Sequence, residues 1–236
     1  MVPRGLRGRP LAAAPVLLLH GLAGHAGEWE TTAAWMGERA VAVDDLADAA
    51  SALEELGEPA VLVGQSLGGL VAIRLAAAQP SRVRALVVAE ASPSPADDPD
   101  AFAADVAAAL RRWPVPFASY EDAVAFFGGP SVAATAWASG LVEREGGLWP
   151  RFDVDEEVRL LRDAVVTSAW PEWERVRCPI LVVRGERGTL SPDEAQAMAR
   201  RGHDVSVTVI AGAGHDVHLD QPEAWRQALS RFLGNA

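Results

Sequence analysis

The stretch that decides the fold reads Ala60-Val61-Leu62-Val63-Gly64-Gln65-Ser66-Leu67-Gly68-Gly69. Its first four residues are a short apolar run, which predicts a buried strand, and the segment Leu67–Ala78 predicts a helix. Between them the residues fit G-x-S-x-G, the pattern of a serine on a tight turn from strand to helix. Gly64 and Gly68 flank that serine at the two positions where backbone segments approach closely. We therefore predict that Ser66 is a nucleophile at a helix N-terminus, where the helix dipole favours developing negative charge.

Strands and helices alternate on both sides of this turn. Each predicted strand is short, apolar and rich in leucine or β-branched residues: Val16–Leu19, Ala40–Asp44, Ala60–Val63, Ala85–Ala89, Ile180–Val183 and Val205–Ile210. The predicted helices are Leu46–Leu56, Leu67–Ala78, Pro192–Arg201 and Pro222–Phe232, the last with Asp220 as its cap and Glu223 three residues later. Apolar strands alternating with helices predict an α/β fold with a doubly wound, mostly parallel sheet.

The alternation is interrupted once, between the fourth and fifth strands. Residues 91–178 contain no convincing strand, open on Ser92-Pro93-Ser94-Pro95, and carry helical patterns at Ala101–Arg112, Tyr120–Phe127 and Asp155–Ser168. Because this insertion is too long for a loop, we predict a helical cap over residues 91–178 on a core of residues 1–90 and 179–236. The insertion holds five of the eight tryptophans: Trp113, Trp137, Trp149, Trp170 and Trp173. Most are expected to pack cap against core, and one or two to line an apolar pocket.

Composition excludes several classes of protein. The 236 residues are 50% hydrophobic and carry a net charge of −11, and every basic residue is arginine. This acidic balance argues against nucleic acid as a partner, since phosphate binding needs a cationic surface. The single cysteine, Cys178, excludes an internal disulfide, and the five histidines lack metal-site spacing. We expect no metal and no organic cofactor. We also expect no membrane partner, because the longest apolar run, Leu11–Leu19, is broken by Pro15.

The N-terminus has two interpretations. Arg4, Arg7 and Arg9 precede the apolar run Leu11–Leu19, as in a secretory signal peptide. The alternative is a short basic tail that leads into a buried strand, and His20-Gly21 directly after the run favours it. The cytoplasm is then the expected location.

Two further segments lie where a serine nucleophile needs them. His20-Gly21-Leu22 follows the first strand, and we assign the oxyanion hole to the backbone N–H groups of Leu22 and Leu67. Gly212-Ala213-Gly214-His215 follows the last strand, and a histidine there can accept the serine proton. The alternative is that His215 is an exposed loop histidine, as we expect for His203. His25 and His218 receive no chemical role.

With these motifs in this order, the chain resembles the α/β-hydrolase fold family from about residue 15 to its C-terminus. The resemblance implies a triad whose acid usually follows the strand after the cap, but Gly188 occupies that position. Some members carry the acid one strand earlier, and here that place is held by Glu90. Its other interpretation is a carboxylate that accepts backbone N–H bonds at the cap entrance. Glu186 and Asp193 are the alternative acids.

Two departures from the family concern the sheet and the cleft. Only about 15 residues precede Val16, and the long loop usual after the second strand is missing, so we expect about six strands. The function expected is a serine hydrolase that cleaves an ester, thioester or lactone of a small apolar substrate, with Ser66, His215 and Glu90 as its triad. The alternatives are a non-hydrolytic enzyme of the same fold (acyl transfer, C–C cleavage, perhydrolysis or cyclisation) and a non-catalytic small-molecule binder.

Overall fold

Six parallel strands form one sheet in this protein. The structure, a computed structural model, describes residues 10–234, so the tail with Arg4, Arg7 and Arg9 lies outside it. The sheet strands are β1 (Val16–Leu19), β2 (Ala40–Ala42), β3 (Ala60–Gln65), β4 (Val83–Ala89), β7 (Ile180–Gly185) and β8 (Val205–Ile210). Their spatial order is β2-β1-β3-β4-β7-β8, with every neighbouring pair parallel. The predicted α/β fold with about six strands is confirmed.

Helices cover both faces of this sheet. They are α1 (Glu30–Met36), α2 (Ala49–Glu55), α3 (Leu67–Ala78), α4 (Pro99–Leu110), α5 (Tyr120–Phe126), α6 (Val132–Ser139), α7 (Val154–Val165), α8 (Trp170–Trp173), α9 (Pro192–Arg201), α10 (Val217–Asp220) and α11 (Pro222–Leu233). Short 3₁₀ turns occur at Leu11–Ala13, Ala26–Trp29, Gly37–Arg39 and Leu46–Asp48. Within residues 10–234, none of the helices is long and apolar enough to cross a bilayer.

The core has two halves, one on each side of the sheet. Leu17, Leu62 and Leu86 point to one side and pack with residues of α3, α8 and α9. Their neighbours along the strands point to the other side, where they pack with Trp29 and Trp225. Successive strand residues face opposite sides, so a strand buried on both sides must be apolar throughout. This explains why the strands read as continuous apolar runs.

The start of the last helix is confirmed at Pro222, but its predicted cap, Asp220, is wrong. Helix α11 begins at Pro222 after Gln221, and no side chain caps it. Asp220 instead ends α10, and its Oδ2 accepts a hydrogen bond from the N–H of Gly214 at 2.7 Å. The predicted helix Leu46–Leu56 is also divided, because a 3₁₀ turn precedes α2.

The expectation of no strand within residues 91–178 is also wrong. Strands β5 (Leu141–Arg144) and β6 (Gly147–Pro150) form an antiparallel hairpin. Its two-residue turn includes Gly146, whose φ of 87° is readily adopted only by glycine. The pair Gly146-Gly147 was the sequence signal for this turn. Helices α4, α5 and α7 lie where the helical patterns indicated, whereas α6 and α8 had no prediction.

Helix α3 packs very closely against the end of β1. A Cβ atom at Gly68 would lie 2.3 Å from the backbone oxygens of both Leu19 and His20. These are backbone atoms next to a central strand, so they cannot move aside without disturbing the sheet.

We expect Gly68→Ala to lower the free energy of unfolding by about 2 kcal/mol or more, as overpacking of a core does. The matched control is Gly57→Ala, where φ is +72° but nothing lies within 4 Å. In that control the free energy of unfolding should fall only by the backbone strain of alanine at positive φ, about 1 kcal/mol. Urea unfolding measures the free energy of unfolding of both variants. Equal losses would contradict the prediction, because they would show that the close contact at Gly68 adds no cost.

Glu28, which directly precedes Trp29, carries a buried carboxyl group. Its exposed fraction is 4%, and its Oε1 accepts no hydrogen bond from any residue between 10 and 234. Burial raises the pKa of Glu28 to about 8, and the nearby Asp216 adds to the rise. At pH 7 the folded protein therefore binds a proton at Glu28 that the unfolded chain does not.

The sign of the resulting pH dependence follows from proton counting. Between the unfolded pKa, near 4.5, and about 8, the folded state binds more protons, so stability falls as pH rises. Glu28→Gln should remove this decline, which is on the order of 1.4 kcal/mol for each pH unit crossed in that range. Urea unfolding from pH 5 to 8 tests it, with the exposed Glu30→Gln as control. Parallel curves for wild type and Glu28→Gln would contradict the prediction.

Candidate active site

Ser66 lies at the carboxyl end of β3, directly before α3. Its φ and ψ are 52° and −120°, a conformation that costs a non-glycine residue about 1–3 kcal/mol. A Cβ at Gly64 would lie 2.3 Å from the carbonyl oxygen of Gly68, so neither elbow glycine has room for a side chain. The N–H of Ser66 donates to the carbonyl of Ala89 at 2.8 Å, which fixes the turn to β4.

The loop after β1 lies against the elbow. A Cβ at Gly21 would be 3.3 Å from the Cβ of Ser66 and 2.3 Å from Oε1 of Gln65. Leu67 is the first residue of α3, so its N–H has no partner within the helix. Leu22 directly follows Gly21, and assigning its N–H to an oxyanion hole remains a prediction.

The loop that carries His215 packs against Gln65 and against the end of β7. The carbonyl of His215 accepts a hydrogen bond from Nε2 of Gln65 at 3.1 Å. A Cβ at Gly185 would lie 2.2 Å from the carbonyl oxygen of Gly214, so the loop packs on the end of β7. His215 and Ser66 both line the same cavity.

Glu90 follows β4, and its carboxylate is fully buried below the imidazole. Its Oε2 lies 3.5 Å from Nδ1 of His215. Oε1 accepts from the N–H of Gly185 at 2.7 Å, and Oε2 accepts from those of Thr189 at 2.5 Å and Leu190 at 3.1 Å. Burial alone would raise the pKa of Glu90, but His215 and these three N–H groups outweigh it, so the pKa lies below its ordinary value.

Gly188 makes room for this carboxylate. A Cβ at position 188 would lie 2.3 Å from the carboxyl carbon and both oxygens of Glu90. A side chain at the family's usual acid position and the present placement of Glu90 therefore exclude each other. Glu90 takes part in both interactions that the sequence left open, because it accepts backbone N–H bonds and also faces His215.

The alternative acids lie elsewhere. Glu186 is exposed, and its Oε2 accepts from the N–H of Gly212 at 2.8 Å. Asp193 is exposed in the first turn of α9. In the part of the chain that the structure describes, neither carboxylate forms a hydrogen bond or ion pair with His215.

Thr189 is a site residue that the sequence reasoning missed. Its hydroxyl lies 2.9 Å from Nδ1 of His215 and 3.2 Å from Oε2 of Glu90. A hydroxyl can accept from one neighbour while it donates to the other, so Thr189 can bridge the imidazole N–H to the carboxylate. No sequence pattern marked this residue, because the bridge depends on three separate loops.

Asp216 connects three parts of the protein. Its Oδ1 accepts from Nε2 of Gln65 at 3.3 Å, and its Oδ2 accepts from Nε1 of Trp137 on α6 at 3.1 Å. Burial raises the pKa of Asp216, partly offset by His215 and the indole of Trp137. The histidine loop, the elbow and residues 91–178 thus meet at one carboxyl group.

The cavity beside Ser66 has a volume of about 720 Å³. Apolar side chains from both the sheet region and residues 91–178 line it: Leu67, Leu70, Phe102, Leu161, Val165 and Leu190. Its carboxylates besides Glu90 are Asp97, Asp98, Asp105 and Glu194.

The expectation that a tryptophan lines this cavity is wrong, since none of the five is among its lining residues. Trp113 packs against Phe127 and Phe152. The indoles of Trp137, Trp149, Trp170 and Trp173 donate to Asp216, Glu145, Ser94 and Met198, respectively. Four of the five indole N–H groups thus have hydrogen-bond partners, and of these partners only Ser94 lines the cavity.

The remaining histidines have structural surroundings. His218 is buried and stacks on Trp29, and burial lowers its pKa to about 3. His25 accepts from the N–H of Gly27, and His203 is exposed. Among residues 10–234, no three His, Cys, Asp or Glu side chains form a group that could hold a metal ion.

Comparison with known proteins agrees with this architecture. The sequence profile of the Alpha/beta hydrolase family matches residues 36–228. An esterase of Mycobacterium tuberculosis is 28% identical over 90% of this chain and 80% of its own length. The 2-(acetamidomethylene)succinate hydrolase of Mesorhizobium japonicum is 31% identical over 74% of this chain and 64% of its own length.

A crystal structure of E-2-(acetamidomethylene)succinate hydrolase superposes with a TM-score of 0.80. It is 24% identical and covers 94% of this chain, while this chain covers 91% of it, a likeness that shows the fold. The profile match spans most of the chain and includes the elbow, Glu90 and His215. On this evidence the chain belongs to the alpha/beta hydrolase family.

Proposed function

We propose that the protein is a serine hydrolase that cleaves an ester, thioester or lactone through an acyl-enzyme. One observation carries the proposal: Ser66 on its strained turn and His215 line one cavity, with the Glu90 carboxylate 3.5 Å from Nδ1 of that histidine. The relatives named as an esterase and a hydrolase support the same class of reaction.

In this mechanism the imidazole of His215 takes the proton from Oγ of Ser66 as that oxygen attacks the carbonyl carbon. The protonated imidazole then donates to the leaving alcohol or thiol, and an acyl-serine remains. A water molecule repeats both steps, which releases the acid and returns the proton to Ser66.

The negative charge on the carbonyl oxygen needs donors in each tetrahedral intermediate. The backbone N–H groups of Leu22 and Leu67 are proposed for this role, each contributing about 3 kcal/mol. The start of α3 adds its dipole at the same place.

Glu90 is proposed to orient the imidazole and to stabilise its protonated form. Its pKa is lowered, so the carboxylate is ionised at neutral pH and attracts the imidazolium. The hydroxyl of Thr189, between the two groups, transmits the same preference for a proton on Nδ1.

The cavity favours a small apolar acyl group. Leu67, Leu70 and Phe102 supply apolar surface, and burial of each methylene contributes about 0.8 kcal/mol. Because α4 and α7 close one side of the cavity, we propose residues 91–178 as the cap that selects the substrate.

Ser66→Ala should lower kcat by about 10⁴-fold or more, because the hydroxyl oxygen is the atom that becomes acylated. A panel of p-nitrophenyl esters with product analysis measures turnover and distinguishes hydrolysis from acyl transfer. A fluorophosphonate probe should label wild type at Ser66 and leave the variant unlabelled.

The matched control is Ser94→Ala, because Ser94 lines the same cavity but bonds to Glu194 at 2.6 Å. Its turnover should stay within about tenfold of wild type. A Ser66→Ala protein with comparable turnover, or a wild type that neither labels nor cleaves any ester, would refute the proposed function.

Glu90→Gln should lower kcat by about 10²–10⁴-fold, since the charge that favours the imidazolium is lost. In either orientation the new amide NH₂ group would face a backbone donor, Gly185 on one side or Thr189 and Leu190 on the other, so thermal unfolding must be recorded in parallel. The ester panel at pH 7 gives the result.

Glu186→Gln and Asp193→Asn are the controls, and each should lower kcat by less than about tenfold. A folded Glu90→Gln protein with wild-type kcat, or a large loss in one of these two controls, would remove Glu90 from the triad.

A further inference from the structure

The loop after β1 is held from outside by one side chain. The N–H of Ala23 donates to Oε2 of Glu157 at 3.0 Å. Glu157 lies in the first turn of α7, 134 positions further along the chain. This hydrogen bond therefore joins the proposed cap to the loop that carries the proposed oxyanion donor.

Ala23 is one of three described non-glycine residues with positive φ, the others being Ser66 and Glu90. Its φ of 58° is unfavourable for a residue with a Cβ atom, so neighbouring contacts must maintain it. The carboxylate of Glu157 supplies such a contact, because a charged acceptor makes a stronger hydrogen bond than a neutral one.

Leu22 is therefore fixed on both sides. Before it, Gly21 packs against Ser66 and Gln65 too closely for a side chain. After it, the N–H of Ala23 is bound by Glu157. With both neighbouring residues held, the peptide N–H of Leu22 has little freedom to turn.

Glu157 keeps this bond at a cost. It is half-buried, and burial raises its pKa, which the N–H of Ala23 and the nearby His20 partly offset. Burying a carboxylate costs free energy unless hydrogen bonds or an opposite charge compensate it. Its neighbour Glu156 is exposed and pairs instead with Arg159 of the same helix at 3.6 Å.

We propose that Glu157 is a positioning residue that holds residues 20–24 so that the N–H of Leu22 faces the oxyanion of the substrate. The inference rests on the proposed function and adds a coupling between the cap and the oxyanion hole. Loss of the carboxylate frees Ala23 to leave its unfavourable conformation, and the N–H of Leu22 turns with it.

The test compares Glu157→Ala, Glu157→Gln and the matched control Glu156→Ala in the full chain. Glu157→Ala should lower kcat about 10–100-fold and leave KM within about threefold, because a single oxyanion donor is worth up to 10²–10³ in kcat. The affinity for an arylboronic acid, which forms a tetrahedral adduct on the serine, should fall by the same factor as kcat. Glu157→Gln keeps an acceptor oxygen and should recover to within about fivefold of wild type.

A readout without turnover comes from amide hydrogen exchange of the peptide that contains residues 20–24. Exchange should rise at least tenfold in Glu157→Ala and not change in Glu156→Ala. Unchanged exchange, unchanged boronate affinity, or equal losses in Glu157→Ala and Glu157→Gln would overturn the inference. A wild type that binds no boronate and cleaves no ester refutes the proposed function, whereas a fully active Glu157→Ala protein refutes only this inference.

Discussion

The site depends on the absence of side chains where β3 meets α3. Backbone oxygens occupy the places that Cβ atoms would take at Gly64 and Gly68, and Gly21 lies equally close to Gln65. This close packing supports the strained conformation of Ser66 and brings two loops to the residue before it. Gln65 touches the first loop and hydrogen-bonds to His215 in the other. One crowded turn therefore fixes the positions of Ser66, the loop after β1 and the histidine loop together.

The position of Glu90 shows that a carboxylate can be placed beside the histidine from more than one position in the sequence. Glu90 reaches His215 from the end of β4, while Gly188 leaves the space into which the Glu90 carboxylate extends. A buried carboxylate needs hydrogen bonds, and the loop after β7 supplies them from Gly185, Thr189 and Leu190. The strand order explains why this exchange is possible, since β4 and β7 are neighbours and end at the same edge of the sheet.

Local patterns explain which features could be predicted from sequence. Strands β1 and β8 were located to the residue because their apolar runs are bounded by turn residues. The elbow was recognised because its strain demands glycines at fixed spacing. Thr189 and the bond from Trp137 to Asp216 were missed because each joins residues far apart in sequence. The hairpin β5–β6 was missed because its strands, unlike the equally short β1, are not continuous apolar runs, and only Gly146-Gly147 marked it.

Residues 91–178 line one side of the cavity and also form hydrogen bonds with the loops of the site. Among the hydrogen bonds of this segment to the rest of the protein, two reach the loops of the site: Trp137 donates to Asp216 beside His215, and Ala23 of the first loop donates to Glu157. Both acceptors are carboxyl groups with a pKa raised by burial, so each is costly without its donor. The hydrogen bonds to α6 and α7 therefore stabilise the two loops in the conformation that they have beside the elbow. A shift of α7 would take the carboxylate of Glu157 away from the N–H of Ala23, and a shift of α6 would leave Asp216 with the amide of Gln65 alone, so the geometry of the loops is linked to the position of the segment.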